Sequence, residues 1–129
     1  MKILLVEDDL LVAKSTARLI ERMGGHQVKV SDSPTEVIES CQSGKIDLVL
    51  MDINLPGAKW QDEDVSGAEL AKLLKTEDKT AHIPIIILTA YALTSEKEDL
   101  LNISGADELL TKPIRDYSTL MRLIEKLTK

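Results

Sequence analysis

Five short runs with β-strand character alternate with segments of helical periodicity along this chain. The runs cover residues 2–6, 27–31, 47–51, 83–88 and 108–111. Strands separated by helix-length segments are typical of βαβ units, in which the strands run parallel and helices cover the sheet. With 129 residues, 43% of them hydrophobic, the chain is long enough for one such core. The sequence therefore predicts an α/β fold in one domain over residues 1–129.

The composition of the runs also predicts the order of the strands. The first, third and fourth runs are almost continuously apolar, as expected for strands that helices cover on both faces. In the second run Lys29 stands between Val28 and Val30, which is the alternation of a half-exposed edge strand. This pattern favours a flavodoxin-like, doubly wound sheet of five parallel strands in the order 2-1-3-4-5, flanked by five helices. Ligands of such sheets bind beyond the carboxyl ends of the strands, here between the first and third.

Local signals mark the helices between these strands. Capping boxes are predicted at Ser33 with Glu36 and at Ser66 with Glu69. Glycines after three periodic segments are predicted to end helices in the left-handed conformation: Gly24, Gly44 and Gly105. Five apolar residues are predicted to hold the first helix against the sheet: Leu11, Val12, Leu19, Ile20 and Met23.

Charge and hydropathy exclude several classes of function. The formal net charge is −6 and no cluster of Lys and Arg is present, so we expect no direct binding to nucleic acid. The longest apolar runs are far too short to cross a bilayer, and the segment after Met1 lacks the architecture of a secretory signal. We therefore expect a cytoplasmic protein without membrane insertion. The single cysteine, Cys41, falls at helical spacing from Val37 and Ile38 and is predicted to be half-buried.

Acidic residues follow two of the central strands. Glu7, Asp8 and Asp9 come after the first strand, and Asp52 comes after the third. Two unit charges about 5 Å apart repel by about 3 kcal/mol at an effective dielectric constant of about 20, so a protonated carboxyl or a bound cation is needed. Oxygen ligands without Cys or His favour a hard ion such as Mg²⁺, which also admits a phosphate. The alternative is a solvated strand end with a helix cap, and an ordinary turn after Asp52.

Polar residues also end the fourth and fifth strands. Thr89 follows the fourth run of apolar residues, and Lys112 follows the fifth run. A lysine can hold phosphate oxygens as a point charge, and a threonine hydroxyl can donate a hydrogen bond to them. Each residue alone could serve only the structure. Together with the acidic residues they predict a site for a phosphate and a divalent cation.

Four short motifs resemble the response regulator receiver family. They are Leu5-Val6-Glu7-Asp8-Asp9, Met51-Asp52-Ile53-Asn54-Leu55-Pro56, Leu88-Thr89-Ala90 and Thr111-Lys112-Pro113. The resemblance spans essentially the whole chain and implies a phosphoacceptor of a two-component system or phosphorelay. It implies no enzyme activity beyond Mg²⁺-dependent self-phosphorylation and autodephosphorylation. The implied partners are a sensor histidine kinase or a phosphotransfer protein, and a downstream protein.

The same resemblance implies a role for each site residue. Asp52 would attack the phosphorus of a phosphohistidine and become an acyl phosphate. Asp8, Asp52 and the backbone carbonyl of Asn54 would bind Mg²⁺, and Glu7 would act through water. Two residues would contact the phosphate: Lys112 and Thr89. Pro113 resembles a cis proline of the family.

The residues that would transmit the state of the site to the protein surface differ from the family pattern. There, a threonine and an aromatic residue on the fifth strand move together and reshape the surface of the fourth helix, fifth strand and fifth helix. Leu109 stands at the aromatic position in this chain. Tyr91 is a candidate substitute that would report the state of Thr89 or limit water access to the acyl phosphate. The alternative is an ordinary exposed aromatic residue.

The loop after the third strand is longer than the family pattern. Pro56 and Gly67 are eleven positions apart, and residues 58–64 form the apparent insertion. It carries the only tryptophan, Trp60, and three acidic residues: Asp62, Glu63 and Asp64. An exposed tryptophan on a charged loop could contact a partner. The alternative is a tolerated surface insertion, because loops absorb length at little cost.

Three other functions compete with this one. A degenerate receiver that acts without phosphorylation would lack the acidic pair, Asp52 or Lys112, and this chain has all of them. A hydrolase of the dehalogenase type would need a second carboxylate where Asn54 stands, and a cap domain. A flavodoxin-like cofactor protein would need phosphate-binding glycines after the first strand. The chain looks like a stand-alone receiver, although a fragment of a longer regulator would show the same features.

Overall fold

Five strands form one parallel sheet in the order that the sequence predicts. The computed structural model describes residues 1–90 and 94–129. The strands are β1 (Lys2–Val6), β2 (Gln27–Ser31), β3 (Leu48–Asp52), β4 (Ile85–Thr89) and β5 (Glu108–Thr111). They pair in parallel in the order β2-β1-β3-β4-β5, with β2 at the edge. Strands β3 and β4 end later in the chain than predicted, because Asp52 and Thr89 still pair with the neighbouring strand as the last residues of their own strands.

Helices cover both faces of the sheet and divide the core in two. They are α1 (Leu10–Gly24), α2 (Pro34–Gln42), α3 (Gly67–Thr76), α4 (Thr94–Ser104) and α5 (Tyr117–Thr128). The α2/α3 core contains Val49 and Met51 of β3, and the α1/α5 core contains Leu48 and Leu50 of the same strand. Successive side chains point to opposite faces of a strand, so β3 must be apolar throughout. None of the described helices is long and apolar enough to span a membrane.

The buried face of α1 differs from the predicted one. Ile20 is buried as predicted, but it shares its face with Ala13 and Thr16. Leu11 is 80% exposed and Val12 is 40% exposed. The stripe that includes the smaller side chains of Ala13 and Thr16 lies on the sheet, because small side chains let the helix approach closely.

Helix ends follow the predicted signals with two corrections. Ser66 and Glu69 form the full capping box at α3, with backbone-to-side-chain bonds of 3.1 and 3.0 Å. Ser33 caps α2, but the Glu36 carboxylate lies 3.6 Å from the Lys29 amine instead of completing a box. Gly25 ends α1 in the left-handed conformation, with φ 67°, and the predicted residue, Gly24, is the last helical one. Gly44 and Gly105 adopt positive φ as predicted.

The insertion after β3 is an ordered hairpin. Lys59–Trp60 pairs antiparallel with Glu63–Asp64, and a salt bridge of 2.9 Å joins Lys59 to Asp64. Gln61 and Asp62 both have positive φ, as the central residues of a type I′ turn do. Trp60 is half-buried and packs against the α2/α3 core, so the expectation of an exposed tryptophan was wrong. The hairpin is thereby fastened to the body of the domain.

Cys41 is more deeply placed than predicted. It is fully buried in the α2/α3 core instead of half-buried. Burial raises the pKa of its thiol to about 11, because the thiolate would lose its hydration. The residue therefore packs as a small apolar side chain, in agreement with the structural role predicted for it.

Candidate functional site

The carboxyl ends of four strands bring the predicted site residues to one cleft. Glu7 follows β1, and Asp52 ends β3. Thr89 ends β4, and Lys112 follows β5. The cleft has a volume of about 780 Å³, and two further predicted residues border it: Asp8 and Asn54. Residues separated by up to about a hundred positions in the chain meet here because parallel strands end at the same edge of the sheet.

Lys112 joins two buried carboxylates. Its amine lies 2.6 Å from Glu7 Oε1 and 3.0 Å from Asp52 Oδ2, and both acids are buried. Partial burial works against the charge on Lys112. The hydrogen bonds that it donates to Glu7 and Asp52, and the charges of both acids, outweigh that effect and raise the pKa of Lys112. The lysine is therefore cationic at neutral pH and pairs with both acids.

The second oxygen of Asp52 also has a partner. Oδ1 accepts a hydrogen bond of 3.2 Å from the backbone N–H of Asn54, in the turn that follows β3. The backbone N–H of Ile53 donates to Leu88 O at 3.0 Å, which fixes the start of this turn against β4. A buried carboxylate is tolerated only when such donors replace its hydration. Asp52 is thus oriented at both oxygens at the edge of the cleft.

Three carboxylates converge on one point of the cleft. Oxygens of Glu7, Asp8 and Asp52 all lie within 4.8 Å of one another. Asp8 is the most solvent-accessible of the three and forms no salt bridge with any residue that the structure describes. Lys112 thus pairs with two of the three acids, and the excess negative charge with oxygen-only donors fits a hard divalent cation such as Mg²⁺.

The two ends of the Glu7 carboxylate are both engaged by protein donors. Oε1 accepts from Lys112, and Oε2 accepts from the backbone N–H of Asp9 at 3.3 Å. Asp9 itself caps α1, accepting hydrogen bonds from Leu11 and Val12. Because its lone pairs are partly occupied, Glu7 is less available than Asp8 for direct contact with a cation.

Thr89 and the Lys112–Pro113 bond complete the edge of the cleft. Thr89 is fully buried, and its carbonyl oxygen accepts from the backbone N–H of Lys112 at 2.7 Å. The peptide bond between Lys112 and Pro113 is cis, as the resemblance implies. Leu109 is half-buried against the α2/α3 core, and Tyr91 lies outside the described residues.

Gly67 contributes to the site in a way that the sequence analysis missed. A Cβ at this position would overlap the carbonyl oxygen of Asp52 and would lie 2.7 Å from Ile53 Cα. The Gly67 N–H donates to Ile53 O at 3.0 Å. The N-terminus of α3 therefore rests on the backbone of Asp52. A glycine directly after a capping serine is the signal that could have indicated this close approach.

An apolar groove adjoins the cleft and was also missed. It has a volume of about 570 Å³ and lies between the N-terminal part of α1 and the segment that leads into α5. Leu11 and Val12 form one wall, and Ile114 and Tyr117 form the other. Four residues border both the groove and the cleft: Glu7, Val12, Ala90 and Lys112. The corrected orientation of α1 is what exposes this surface.

Comparisons with known proteins show which family the chain is similar to. The sequence matches the response regulator receiver domain over residues 3–125. The polar-differentiation response regulator DivK of Brucella anthropi is 34% identical over 112 residues, which cover 87% of this chain and 84% of DivK. A CheY-like receiver domain protein from Methanospirillum hungatei has a TM-score of 0.76 at 26% identity, over 98% of this chain and 92% of that chain.

A second solved structure is similar and contains a metal. The receiver domain of the sensor histidine kinase PA1611 from Pseudomonas aeruginosa has a TM-score of 0.78 at 26% identity, over 98% of this chain and 96% of that chain. A magnesium ion is coordinated in its active site cleft. The strand order and the match over residues 3–125 agree. The chain therefore belongs to the response regulator receiver domain family, the phosphoacceptor domains of two-component signalling.

Proposed function

We propose that Asp52 is the phosphoacceptor of this receiver domain. The observation that carries the proposal is a buried carboxylate held between Lys112 and the N–H of Asn54 at the edge of the cleft. In the transfer, a carboxylate oxygen of Asp52 forms a bond to phosphorus as the bond from phosphorus to the donor's histidine nitrogen breaks. The attacking group is the carboxylate form of the side chain, which has no proton to lose, so the step needs no general base.

Lys112 and Thr89 are the proposed contacts of the phosphoryl group. The Lys112 amine lies between Glu7 and Asp52, so a small movement brings it to an oxygen of a phosphoryl group on Asp52. There its positive charge would offset the negative charge that the phosphate adds. Thr89 borders the same cleft from the end of β4, and its hydroxyl would donate a hydrogen bond to an oxygen of the phosphoryl group.

Mg²⁺ is the proposed cofactor. Asp8, Asp52 and the backbone carbonyl of Asn54 would hold the ion, with Glu7 acting through water. When bound, Mg²⁺ supplies positive charge to the transferring phosphoryl oxygens. The converging carboxylates and the magnesium ion in the PA1611 receiver domain support this assignment. With the ion present we propose self-phosphorylation from small-molecule donors.

The proposed phosphodonor is a histidine kinase or a phosphotransfer protein. A donor must bring its phosphohistidine to Asp52, so it has to cover the rim of the cleft. The groove beside the cleft offers the exposed apolar side chains of Leu11 and Val12 for that contact. We propose that the domain acts in the cytoplasm and that a downstream protein reads the phosphorylated state at α4, β5 and α5.

Intact-mass spectrometry after incubation with acetyl phosphate tests the phosphoacceptor. We expect one phosphoryl adduct on the parent protein in the presence of Mg²⁺ and none with EDTA. Asp52→Asn should abolish the adduct. Asp32→Asn is the matched control, because Asp32 follows β2 at the same sheet edge but lies outside the cleft, and it should retain the adduct. Absence of any adduct on the folded, Mg²⁺-bound parent would instead indicate an interaction module that works without phosphorylation.

A further inference from the structure

A second groove lies on the other side of the sheet from α1. It has a volume of about 540 Å³ and separates the 59–64 hairpin from α3 and α4. We call it the hairpin groove. Its apolar wall includes Trp60, Leu73 and Ile103, and its polar rim includes Glu63, Glu69 and Lys72. The apparent insertion in the sequence builds one side of it.

Two large apolar side chains of this wall are exposed to solvent. Leu73 is 38% exposed and Ile103 is 56% exposed. Every other exposed large apolar side chain among the described residues belongs to Met1 or to α1. Trp60 is half-buried beside them, with its ring fixed by the α2/α3 core. A pre-positioned tryptophan next to exposed aliphatic side chains is typical of the anchor points of protein interfaces.

The hairpin groove is joined to the phosphorylation cleft. Glu69 and Ile103 border both. In addition, α3 begins at Gly67, which rests on the backbone of Asp52. An occupant of the groove would therefore contact the helix that packs directly on the phosphoacceptor.

The charge of the groove indicates what kind of occupant it fits. The rim carries Lys72 as well as acids, and Lys59 offsets Asp64 through their salt bridge, whereas Glu63 forms no salt bridge with any described residue. Asp62 at the hairpin tip adds a further negative charge. The whole chain carries a formal charge of −6, so a second copy would be repelled and a basic partner attracted.

We propose that the hairpin groove is a docking site for a basic peptide segment of a partner protein. One apolar side chain of that segment would insert between Trp60, Leu73 and Ile103. A basic side chain would pair with Glu63 on the hairpin. This surface is separate from the groove next to α1 and does not depend on phosphotransfer.

Selection of random twelve-residue peptides displayed on phage, against the unphosphorylated full chain, tests the proposal. We expect enriched peptides that combine Lys or Arg with a large apolar residue. Synthetic copies should change the fluorescence of Trp60, the only tryptophan of the chain. Leu73→Ser and Glu63→Lys should each weaken their binding by about tenfold.

Two control variants carry the same substitutions on the opposite face of the sheet. Leu19→Ser changes a residue of α1 that is 37% exposed, close to the exposure of Leu73. Glu125→Lys reverses an exposed acid on α5. Both should bind the peptides like the parent, and circular dichroism checks that all four variants fold.

Three outcomes would overturn the proposal. They are a failure to enrich any peptide, enrichment of acidic peptides, and binding that Glu63→Lys and Leu73→Ser leave unchanged. Sedimentation velocity adds a fourth, namely self-association that Leu73→Ser abolishes. Because the selection uses unphosphorylated protein, its result is independent of whether Asp52 accepts a phosphoryl group.

Discussion

At the scale of single residues, the charge balance of the cleft depends on Lys112. Its amine contacts both Glu7 and Asp52, and each of these acids is buried. Without the lysine, the two buried carboxylates and Asp8 would lie close together with no salt bridge to any described residue. Removing one partner of a buried ion pair is costly because the other charge remains desolvated.

We expect Lys112→Met to lower the free energy of unfolding by about 2 kcal/mol in EDTA, less than for a fully buried pair because Lys112 is partly exposed. Mg²⁺ should recover part of the loss, since it offers positive charge to the same acids. Urea unfolding with EDTA and with Mg²⁺ measures both effects. Lys126→Met, which removes an exposed pair with Glu108, is the control and should cost less than about 1 kcal/mol. Equal losses in the two variants would contradict the role of Lys112.

Cys41 provides a prediction about pH. Burial raises the pKa of its thiol to about 11, so the folded state favours the protonated form. This contribution to stability is fully present below the pKa of the unfolded thiol and is lost as the pH rises through about 11. We expect iodoacetamide to modify the native protein far more slowly than the urea-unfolded protein at about pH 8. Mass spectrometry measures both modification rates. Equal rates would show that the Cys41 thiol is accessible in the native protein.

At the scale of elements, the N-terminus of α3 links local capping to the site. Ser66 and Glu69 satisfy each other's backbone N–H groups, and Gly67 brings the helix onto the Asp52 backbone. The hairpin of residues 59–64 precedes this cap directly. The position of α3 therefore depends on a short stretch of chain in which one capping serine and one glycine are both needed.

We expect Ser66→Ala to lower the free energy of unfolding by about 1 kcal/mol, because an N–H at the start of α3 loses its acceptor. Ser118→Ala is the matched control. Ser118 is exposed in the first turn of α5, where Asp116 supplies the cap, so its loss should cost less than about 0.5 kcal/mol. Thermal and urea unfolding report the difference. An unchanged stability of Ser66→Ala would show that the cap is not needed to hold α3.

At the scale of the whole molecule, the two faces of the sheet carry different surfaces. The groove beside α1 lies on one face, and the hairpin groove lies on the other. Both meet the cleft at the carboxyl edge of the sheet, through Lys112 on one side and Glu69 on the other. A phosphodonor at the groove beside α1 and a second partner at the hairpin groove would therefore contact opposite faces of the sheet.

Mg²⁺ should stabilise the entire domain if the acidic cluster holds it. A ligand that binds only the folded state adds about 2.7 kcal/mol at a free concentration of a hundred times its Kd. We expect the melting temperature to rise with Mg²⁺ in the parent and in Asp32→Asn, and to rise little in Asp8→Asn. Without Mg²⁺, Asp8→Asn should be at least as stable as the parent, because one of three converging charges is removed. A parent that does not respond to Mg²⁺ would contradict the assigned ligands.

Much of the fold and the site follows from local patterns in the sequence. The periods of two and of 3.6 residues predict the strands and helices, and the edge strand shows its alternation at Lys29. Because parallel strands end at one edge, residues at the strand ends were expected to converge, and Glu7, Asp52, Thr89 and Lys112 do so. These features depend on backbone geometry that each segment already encodes.

Other features were decided only by the tertiary structure. Two stripes of α1 have helical spacing, and the one that lies on the sheet was selected by the fit of Ala13 and Thr16, which periodicity cannot rank. The half-burial of Trp60 and the approach of Gly67 to Asp52 likewise depend on elements distant in the chain. The sequence by itself determined which residues stand at which strand end, since that is local. Their contacts, burial and shared surfaces arose only when the elements packed, since packing depends on the shapes of all of them together.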